Sequence, residues 1–426
     1  MWQEKWSIPE SNGMKNTSLR NKIGLALSAV GPGLFLIGYN IGTGSVTTMA
    51  KTGAEHGMGL FWALILSCIF TYVLMVAYGK MTLVTGKTAL FNFKSEFKWG
   101  WMLSLYIIIA LIIGELLALM GVMGIVADLV QEGIRLAFEG QIISRFWIIL
   151  FFSIILYFLL WYGRYQVFEK ILTVLVILMG LSFIIVFFMV KPDFASLAEG
   201  VIPSTPNTPG ALGLIAAIAG TTCSAAVFIM RSTVVAEKGW GINDLKTERK
   251  DSFVSAATML LLSGIIMAVA AGTLHISGLK LENTVEMIAL FEPLGGKLAA
   301  FLLIIGIAGA GLSTIFPIVL IAPWLIADYT GKPRNIRSSQ SRCLIFVALL
   351  FAFGTVFLEE RPPTLMVFSQ AFQACILPAV AIPVFLLINK KGLMHEHKAS
   401  KKLNVGIIAV IMFSLITSWF AIAEFL

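Results

Sequence analysis

Long apolar stretches recur along the chain and constrain its fold more than any other feature. A helical stretch of about 20 apolar residues crosses the ~30 Å hydrocarbon layer of a bilayer. Only 13% of the residues are charged and 58% are apolar, whereas roughly a quarter of a soluble domain is charged. These values exclude a soluble globular protein and a disordered chain. They predict an integral, multi-pass protein of the plasma (inner) membrane.

We predict eleven spanning segments. Because the lipid interior offers no water to hydrogen-bond the backbone, each segment is expected to be a helix, which gives an all-α fold class. The polar residues 1–22 lack a short apolar core with a cleavage site and are expected to form a cytosolic tail. The segments are 23–50, 58–79, 99–127, 146–163, 171–190, 208–230, 252–277, 297–326, 343–358, 362–389 and 403–423.

The distribution of basic residues tests this count. Loops on the cytosolic side of membrane proteins carry an excess of lysine and arginine. With eleven spans and a cytosolic N-terminus, 24 of the 31 basic residues fall on the cytosolic side. One span too many or too few would place the later loops on the wrong side and remove this excess of basic residues on the cytosolic side. The pattern therefore predicts a cytosolic N-terminus and an external C-terminus.

Two of the segments are interrupted by glycine-rich sequence at matching positions. The first carries GPG at 31–33 and NIGTGS at 40–45, and the sixth carries PG at 209–210 and AGTTCS at 219–224. Secondary transporters often place their substrate site where one broken helix from each half meets its counterpart. Close helix packing by small residues is the alternative explanation for either segment alone.

The second broken segment comes five spans after the first, which indicates an inverted repeat. An odd number of spans makes the second copy enter the membrane from the opposite side. We therefore predict a first repeat at 23–190, a second repeat at 208–389 and an additional helix 11 at 403–426.

Short motifs over nearly the whole chain resemble those of a known membrane family. They are GPG at 31–33, VTGK at 84–87, PDF…GVIP within 192–203, SQ…LP…IP within 369–383 and GLM at 392–394. In this order and spacing they resemble the natural-resistance-associated macrophage protein (Nramp) family of proton-coupled divalent metal transporters. The resemblance implies the leucine-transporter (LeuT) fold of 5+5 inverted repeats. It also implies proton-coupled import of Mn²⁺ or Fe²⁺ by alternating access.

The departures from the family pattern fall on its metal-binding motifs. The family's helix-1 DPGN aligns with GTGS at 42–45, and its helix-6 MPH aligns with SAA at 224–226. The family's Asp, Asn and Met are thus replaced by Gly42, Ser45 and Ser224. A thioether favours softer transition metals, whereas oxygen donors suit hard cations. The remaining donors therefore indicate a hard cation such as partly hydrated Mg²⁺.

Hydroxyl and amide groups around the two breaks make up the predicted substrate site. Gln370 matches a family position that faces the site, and Gln373, one turn further on, leaves a functional and a structural role equally open. The hydroxyls either ligate a substrate or cap their own helix backbone. No dedicated set of metal ligands is identified. The predicted substrate-binding residues are Gly42, Thr43, Ser45, Thr221, Thr222, Ser224 and Gln370.

Glu115 is the predicted residue for proton or ion coupling. It lies near the middle of the third segment, where a carboxylate costs about 2.5–3.5 kcal/mol on insertion scales and usually serves a function. It aligns with an acidic position of the family. The expected role is proton carrier or cation partner, and the alternative is a hydrogen bond between helices.

Arg231 carries the competing hypothesis. It replaces the family's second helix-6 histidine and follows Ser224 by seven residues, on the same helix face. Facing the cavity, it would attract a carboxylate or serve as a gating contact. That reading favours an H⁺- or Na⁺-coupled transporter of an amino acid or carboxylate on the same fold. The alternative is that Arg231 extends to the cytosolic boundary.

No enzymatic or cofactor-binding motif is present in the sequence. HExxH and GxSxG are absent, and none of the four cysteines has CxxC spacing. We therefore expect a transporter that is not an enzyme and needs no cofactor. Its expected partners are the transported ion or solute and the lipid bilayer, without nucleic acid.

Overall fold

The protein is described by a computed structural model. It covers residues 42–138, 143–162, 165–191, 194–206, 208–294, 296–332, 334–357 and 362–425. Within these ranges the regular secondary structure is helical, which confirms the predicted all-α class.

Sixteen α-helices, numbered in chain order, make up this part of the chain. A π-helical turn, Ala271–His275, extends α10, and a 3₁₀ segment, Thr284–Leu294, precedes α11. The helices are α1 Thr43–His56, α2 Phe61–Thr85, α3 Ala89–Glu96, α4 Gly100–Ala137, α5 Arg145–Tyr162, α6 Tyr165–Val190, α7 Phe194–Glu199, α8 Ala211–Thr222, α9 Ala225–Glu237, α10 Leu245–Ala270, α11 Gly296–Thr330, α12 Ser339–Phe351, α13 Gly354–Phe357, α14 Pro362–Asn389, α15 Lys391–Met394 and α16 Lys401–Phe425.

Nine helical stretches of the described chain are long and apolar enough to cross a membrane. The pair α8–α9 counts as one of them, and α6 adds a shorter apolar stretch, Val176–Val190. The tail at 1–22, the GPG motif at 31–33 and Asn40 lie outside the described residues. The total of eleven spans, the side of the N-terminus and the division into two repeats therefore stay predictions.

Several helices are longer than their apolar stretches indicated. The third segment was expected to end at residue 127, yet α4 continues to Ala137. Asp128 lies within α4 and is buried. Its carboxylate pairs with Arg145 at 2.5 Å and accepts a hydrogen bond from Thr284 at 2.9 Å. The tenth segment has the predicted bounds, Pro362–Asn389.

Packing places α1, α8 and α9 inside the bundle. Helix α8 packs against α14 and α16, α4 packs against α11 and α14, and α10 packs against α1 and α2. A Cβ atom at Gly220 would overlap the carbonyl oxygen of Gln370, so glycine is what allows α8 to approach α14 this closely. Large side chains such as Phe151 and Trp419 are exposed on the outer helices, as a lipid-facing surface requires.

Candidate functional site

The sixth span is interrupted at Cys223 and Ser224. Helix α8 ends at Thr222, Ser224 has extended backbone angles (φ −68°, ψ 131°), and α9 begins at Ala225 with Ser224 as its N-cap. The break frees backbone groups that a buried chain must satisfy. The hydroxyl of Thr71 on α2 donates to the carbonyl of Thr222 at 2.9 Å. The broken geometry expected from the sequence is therefore present and supported by a neighbouring helix.

The first span contributes a helix start at the same depth of the bundle. Gly42 has an extended conformation and is the N-cap of α1, and its carbonyl accepts the amide of Val46 at 3.1 Å. The hydroxyl of Ser45 lies 3.3 Å from that of Ser263 on α10. The first turn of α1 thus faces the break between α8 and α9 across a small space.

A cavity of about 30 Å³ lies between α1, α4, the α8–α9 break, α11 and α14. A water molecule needs at least about 10–15 Å³ of such volume, so the cavity has room for an ion or a water. Small organic ligands occupy pockets of about 300–1,000 Å³. Six of the nine predicted site residues line the cavity. They are Gly42, Ser45, Glu115, Thr221, Ser224 and Gln370.

Thr43 and Thr222 lie next to the cavity without lining it. Both side chains are buried, and their hydroxyls find no hydrogen-bond partner among the described residues. A Cβ atom at Gly311 on α11 would lie 3.0 Å from the Thr43 hydroxyl oxygen, so Thr43 points toward α11. The sequence could not distinguish these threonines from Ser45 and Thr221, which face inward.

Hydrogen bonds join Glu115 to the helix break. Glu115 on α4 is 2% exposed, and the side-chain amide of Gln373 donates to its Oε1 atom at 2.8 Å. The hydroxyl of Ser224 donates to the Oε1 atom of Gln373 at 3.1 Å. A side chain from α14 therefore connects α4 with the N-cap of α9.

Arg231 lies in a separate buried cluster. Its side chain is fully buried and pairs with Glu248 at 3.0 Å and with Asp251 at 2.5 Å, both on α10. Its Nη2 atom also donates to the hydroxyl of Ser252 at 3.2 Å. Complete burial means that the guanidinium does not extend into solvent. Arg231 is also absent from the cavity lining, and two carboxylates compensate its charge.

The electrostatics of the cavity favour a cation. Glu115 is the sole ionisable side chain among the lining residues that the structure describes. The C-terminal end of α8, which brings Thr221 to the cavity, adds negative potential. The N-terminal ends of α1 and α9 oppose this with positive potential. A full carboxylate charge in a buried site outweighs such partial charges.

Six further lining residues were not among the predicted site residues. For one of them, Gln373, the sequence allows a functional or a structural role. Met366 on α14 brings a thioether to the wall, so the expectation of oxygen donors alone is wrong on this point. These side chains lie in uniformly apolar or small-residue helices, where the sequence gives little signal of which face turns inward. The six are Gly44, Ala118, Thr314, Ile318, Met366 and Gln373.

The fold and the site together define a class of protein. A multi-pass helical bundle with a broken helix at a buried polar cavity is the architecture of secondary transporters. The sequence profile described as "Natural resistance-associated macrophage protein-like" matches residues 33–424. The chain belongs to this family, Nramp, a family of membrane transporters. The resemblance inferred from the motifs is thereby confirmed.

Known proteins with similar sequences or structures cover most of the chain. The divalent metal cation transporter MntH of Caldanaerobacter subterraneus subsp. tengcongensis is 23% identical over 398 residues, covering 91% of this chain and 90% of MntH. The manganese transporter of Eremococcus coleocola superposes with a TM-score of 0.70 at 16% identity, covering 97% of this chain and 90% of that one. Mhp1, a nucleobase-cation-symport-1 transporter, superposes with a TM-score of 0.58 at 15% identity, covering 92% and 93%. These similarities confirm a LeuT-type fold.

Proposed function

We propose that the protein transports a divalent metal cation, which binds in the cavity between α1, α4, the α8–α9 break and α14. One observation carries the proposal: a buried carboxylate, Glu115, is the only formal charge among the described lining residues. Carboxylates inside membrane spans are costly, and they usually mark the path or the binding site of an ion. The relatives named as divalent metal cation and manganese transporters support this assignment.

The donor set favours cations that prefer oxygen. Glu115 supplies a carboxylate, Gln370 an amide, and Ser45, Thr221 and Ser224 supply hydroxyls. Carboxylate, carbonyl and water oxygens suit Mg²⁺ and Mn²⁺. Mg²⁺ sheds its water reluctantly and would retain part of its shell. We therefore propose Mg²⁺ and Mn²⁺ as substrates, with the Met366 thioether favouring the softer Mn²⁺.

Coupling to protons is proposed to pass through Glu115. The carboxylate attracts the cation and is the one titratable side chain among the described lining residues. The Nramp resemblance implies import together with protons by alternating access. The broken span α8–α9 supports such a cycle, because two short helices can reorient separately around the break.

The organic-solute alternative loses its main support. It depended on Arg231 as an anion-binding group, but Arg231 is paired with two carboxylates outside the cavity. The cavity of about 30 Å³ is also about tenfold smaller than the pockets that hold organic ligands.

Uptake into proteoliposomes that contain the purified protein tests the proposal. We expect Mn²⁺ uptake that excess Mg²⁺ inhibits and that an inward proton gradient stimulates. Liposomes with the Glu115→Gln variant provide the matched control. Absence of uptake for both cations would contradict the proposed function and direct the search to organic solutes.

A further inference from the structure

We propose that Gln373 is a positioning residue that turns the oxygen atoms of Glu115 and Ser224 toward the bound cation. The inference rests on the proposed function, because it assigns a role in binding the cation at the same site. The sequence left the role of this glutamine open, and the family's metal-binding motifs do not include its position.

The position of Gln373 makes it the link between two parts of the site. Its side chain is 3% exposed and lines the cavity from α14. One end of the amide contacts Glu115 on α4 at 2.8 Å, and the other end contacts Ser224 at 3.1 Å. These two groups stand on elements that do not follow each other in the chain. Gln373 therefore fixes the separation between them.

The chemistry of the three groups fixes the direction of both hydrogen bonds. An ionised carboxylate only accepts hydrogen bonds, so the NH₂ end of Gln373 must face Glu115. The carbonyl end then faces Ser224, which uses its single hydroxyl hydrogen to donate to Gln373. The Ser224 oxygen therefore presents its lone pairs, and not its hydrogen, to a ligand in the cavity. A cation needs such lone pairs, whereas an anion needs hydrogens.

The consequence is a site whose polarity depends on one amide. Without Gln373, the Ser224 hydroxyl can rotate and point its hydrogen into the cavity, and Glu115 loses a charge-assisted hydrogen bond. Both changes weaken cation binding. The effect on Ser224 passes through Gln373, so the two residues should behave as one unit.

A double-mutant cycle on Mn²⁺ uptake tests this coupling. The variants are Gln373→Leu, which keeps a similar volume, adds no metal ligand and removes both hydrogen bonds, Ser224→Ala, and the two combined. Each single variant is expected to raise the KM for Mn²⁺ about tenfold, the equivalent of one buried hydrogen bond. The double variant should raise KM by clearly less than the product of the two single effects, since the Ser224–Gln373 hydrogen bond is lost in both single variants. The maximal rate per folded protein should change little.

The control is Gln131→Leu, the same chemical change at a half-buried site on α4 outside the cavity lining, where the amide donates to the Ile143 carbonyl. Its KM should equal that of the wild type. A double variant whose KM rises by about a hundredfold would mean independent residues and would overturn the role of Gln373. So would a Gln373→Leu variant with unchanged KM and less folded protein. Wild-type protein without divalent-cation uptake would overturn the proposed function itself, and the role of Gln373 with it.

Discussion

Thr314 on α11 occupies the space that a side chain at Gly42 would need. A Cβ atom built on Gly42 would overlap the Thr314 hydroxyl, which is buried and donates to the Ala310 carbonyl at 2.8 Å. Gly42 aligns with the metal-binding aspartate of the Nramp family. Position 42 thus has neither the carboxylate nor the room for it. The carboxylate of this cavity comes from α4, as Glu115.

Restoring the aspartate alone is therefore expected to fail. Gly42→Asp should reduce the amount of folded protein and abolish Mn²⁺ uptake, because the new side chain collides with Thr314. The double variant Gly42→Asp/Thr314→Ala removes the obstructing hydroxyl and methyl. It should recover folding and bind Mn²⁺ more tightly than the wild type, as titration calorimetry would show. A single variant that folds and transports normally would contradict this account of the α1–α11 contact.

Replacing Glu115 should remove both cation affinity and proton coupling. Glu115→Gln keeps the size of the side chain and deletes its charge, so Mn²⁺ uptake and the accompanying proton flux should both be lost. The matched control is Glu132→Gln on the same helix, where the carboxylate pairs with Arg135 at 2.6 Å. That variant should transport normally. Coupled proton flux that survives Glu115→Gln, measured with a pH-sensitive dye in the liposomes, would show that our role for Glu115 is wrong.

Arg231 is expected to contribute to stability and not to substrate binding. Arg231→Ala removes the guanidinium that pairs with Glu248 and Asp251, and removing one partner of a buried pair costs about 3–5 kcal/mol. Thermal unfolding in detergent should show a large decrease in midpoint. Arg249→Ala, at an exposed position beside Glu248, should stay within about 0.5 kcal/mol of the wild type. Folded Arg231→Ala protein with an altered KM for the transported cation would contradict this separation of roles.

Met366 is expected to set the preference between Mn²⁺ and Mg²⁺. A thioether is a softer ligand than any of the oxygen donors in this cavity. Met366→Leu keeps a similar volume and removes the sulfur, so it should lower Mn²⁺ uptake severalfold while Mg²⁺ uptake changes little. Competition between the two cations in one uptake assay measures the ratio. An unchanged ratio would mean that the sulfur does not contact the cation.

The sequence predicted the all-α class and the break in the sixth span, because apolar runs and glycine-rich interruptions are local signals. Gly42 caps α1, Ser45 lies in its first turn and Ser224 lies at the break in the sixth span. The structure places all three on one cavity. Glu115 was recognisable as a carboxylate in the middle of an apolar run. These inferences needed no knowledge of tertiary packing.

Other features depended on packing that no local pattern reveals. Thr314 and Met366 reach the cavity from helices whose sequence does not distinguish the inner face. Arg231 shares a face with Ser224 on an unbroken helix, yet its partners Glu248 and Asp251 draw it toward α10. Glu248 and Asp251 are three residues apart and share one helix face, a spacing that indicates a common basic partner. The burial of Asp128 likewise depends on its pairing with Arg145, which no local pattern shows.

Locating the bound cation tests the central claim most directly. Crystals of the protein soaked in Mn²⁺ and measured for anomalous scattering would show where the cation lies. We predict a single strong peak in the central cavity, with the Glu115 carboxylate and the Ser224 hydroxyl as its nearest protein groups or joined to it through water. The peak should disappear in Glu115→Gln crystals soaked in the same way. A cavity without a peak in the wild type, or a peak that persists in Glu115→Gln, would contradict the assignment of this cavity as the cation site.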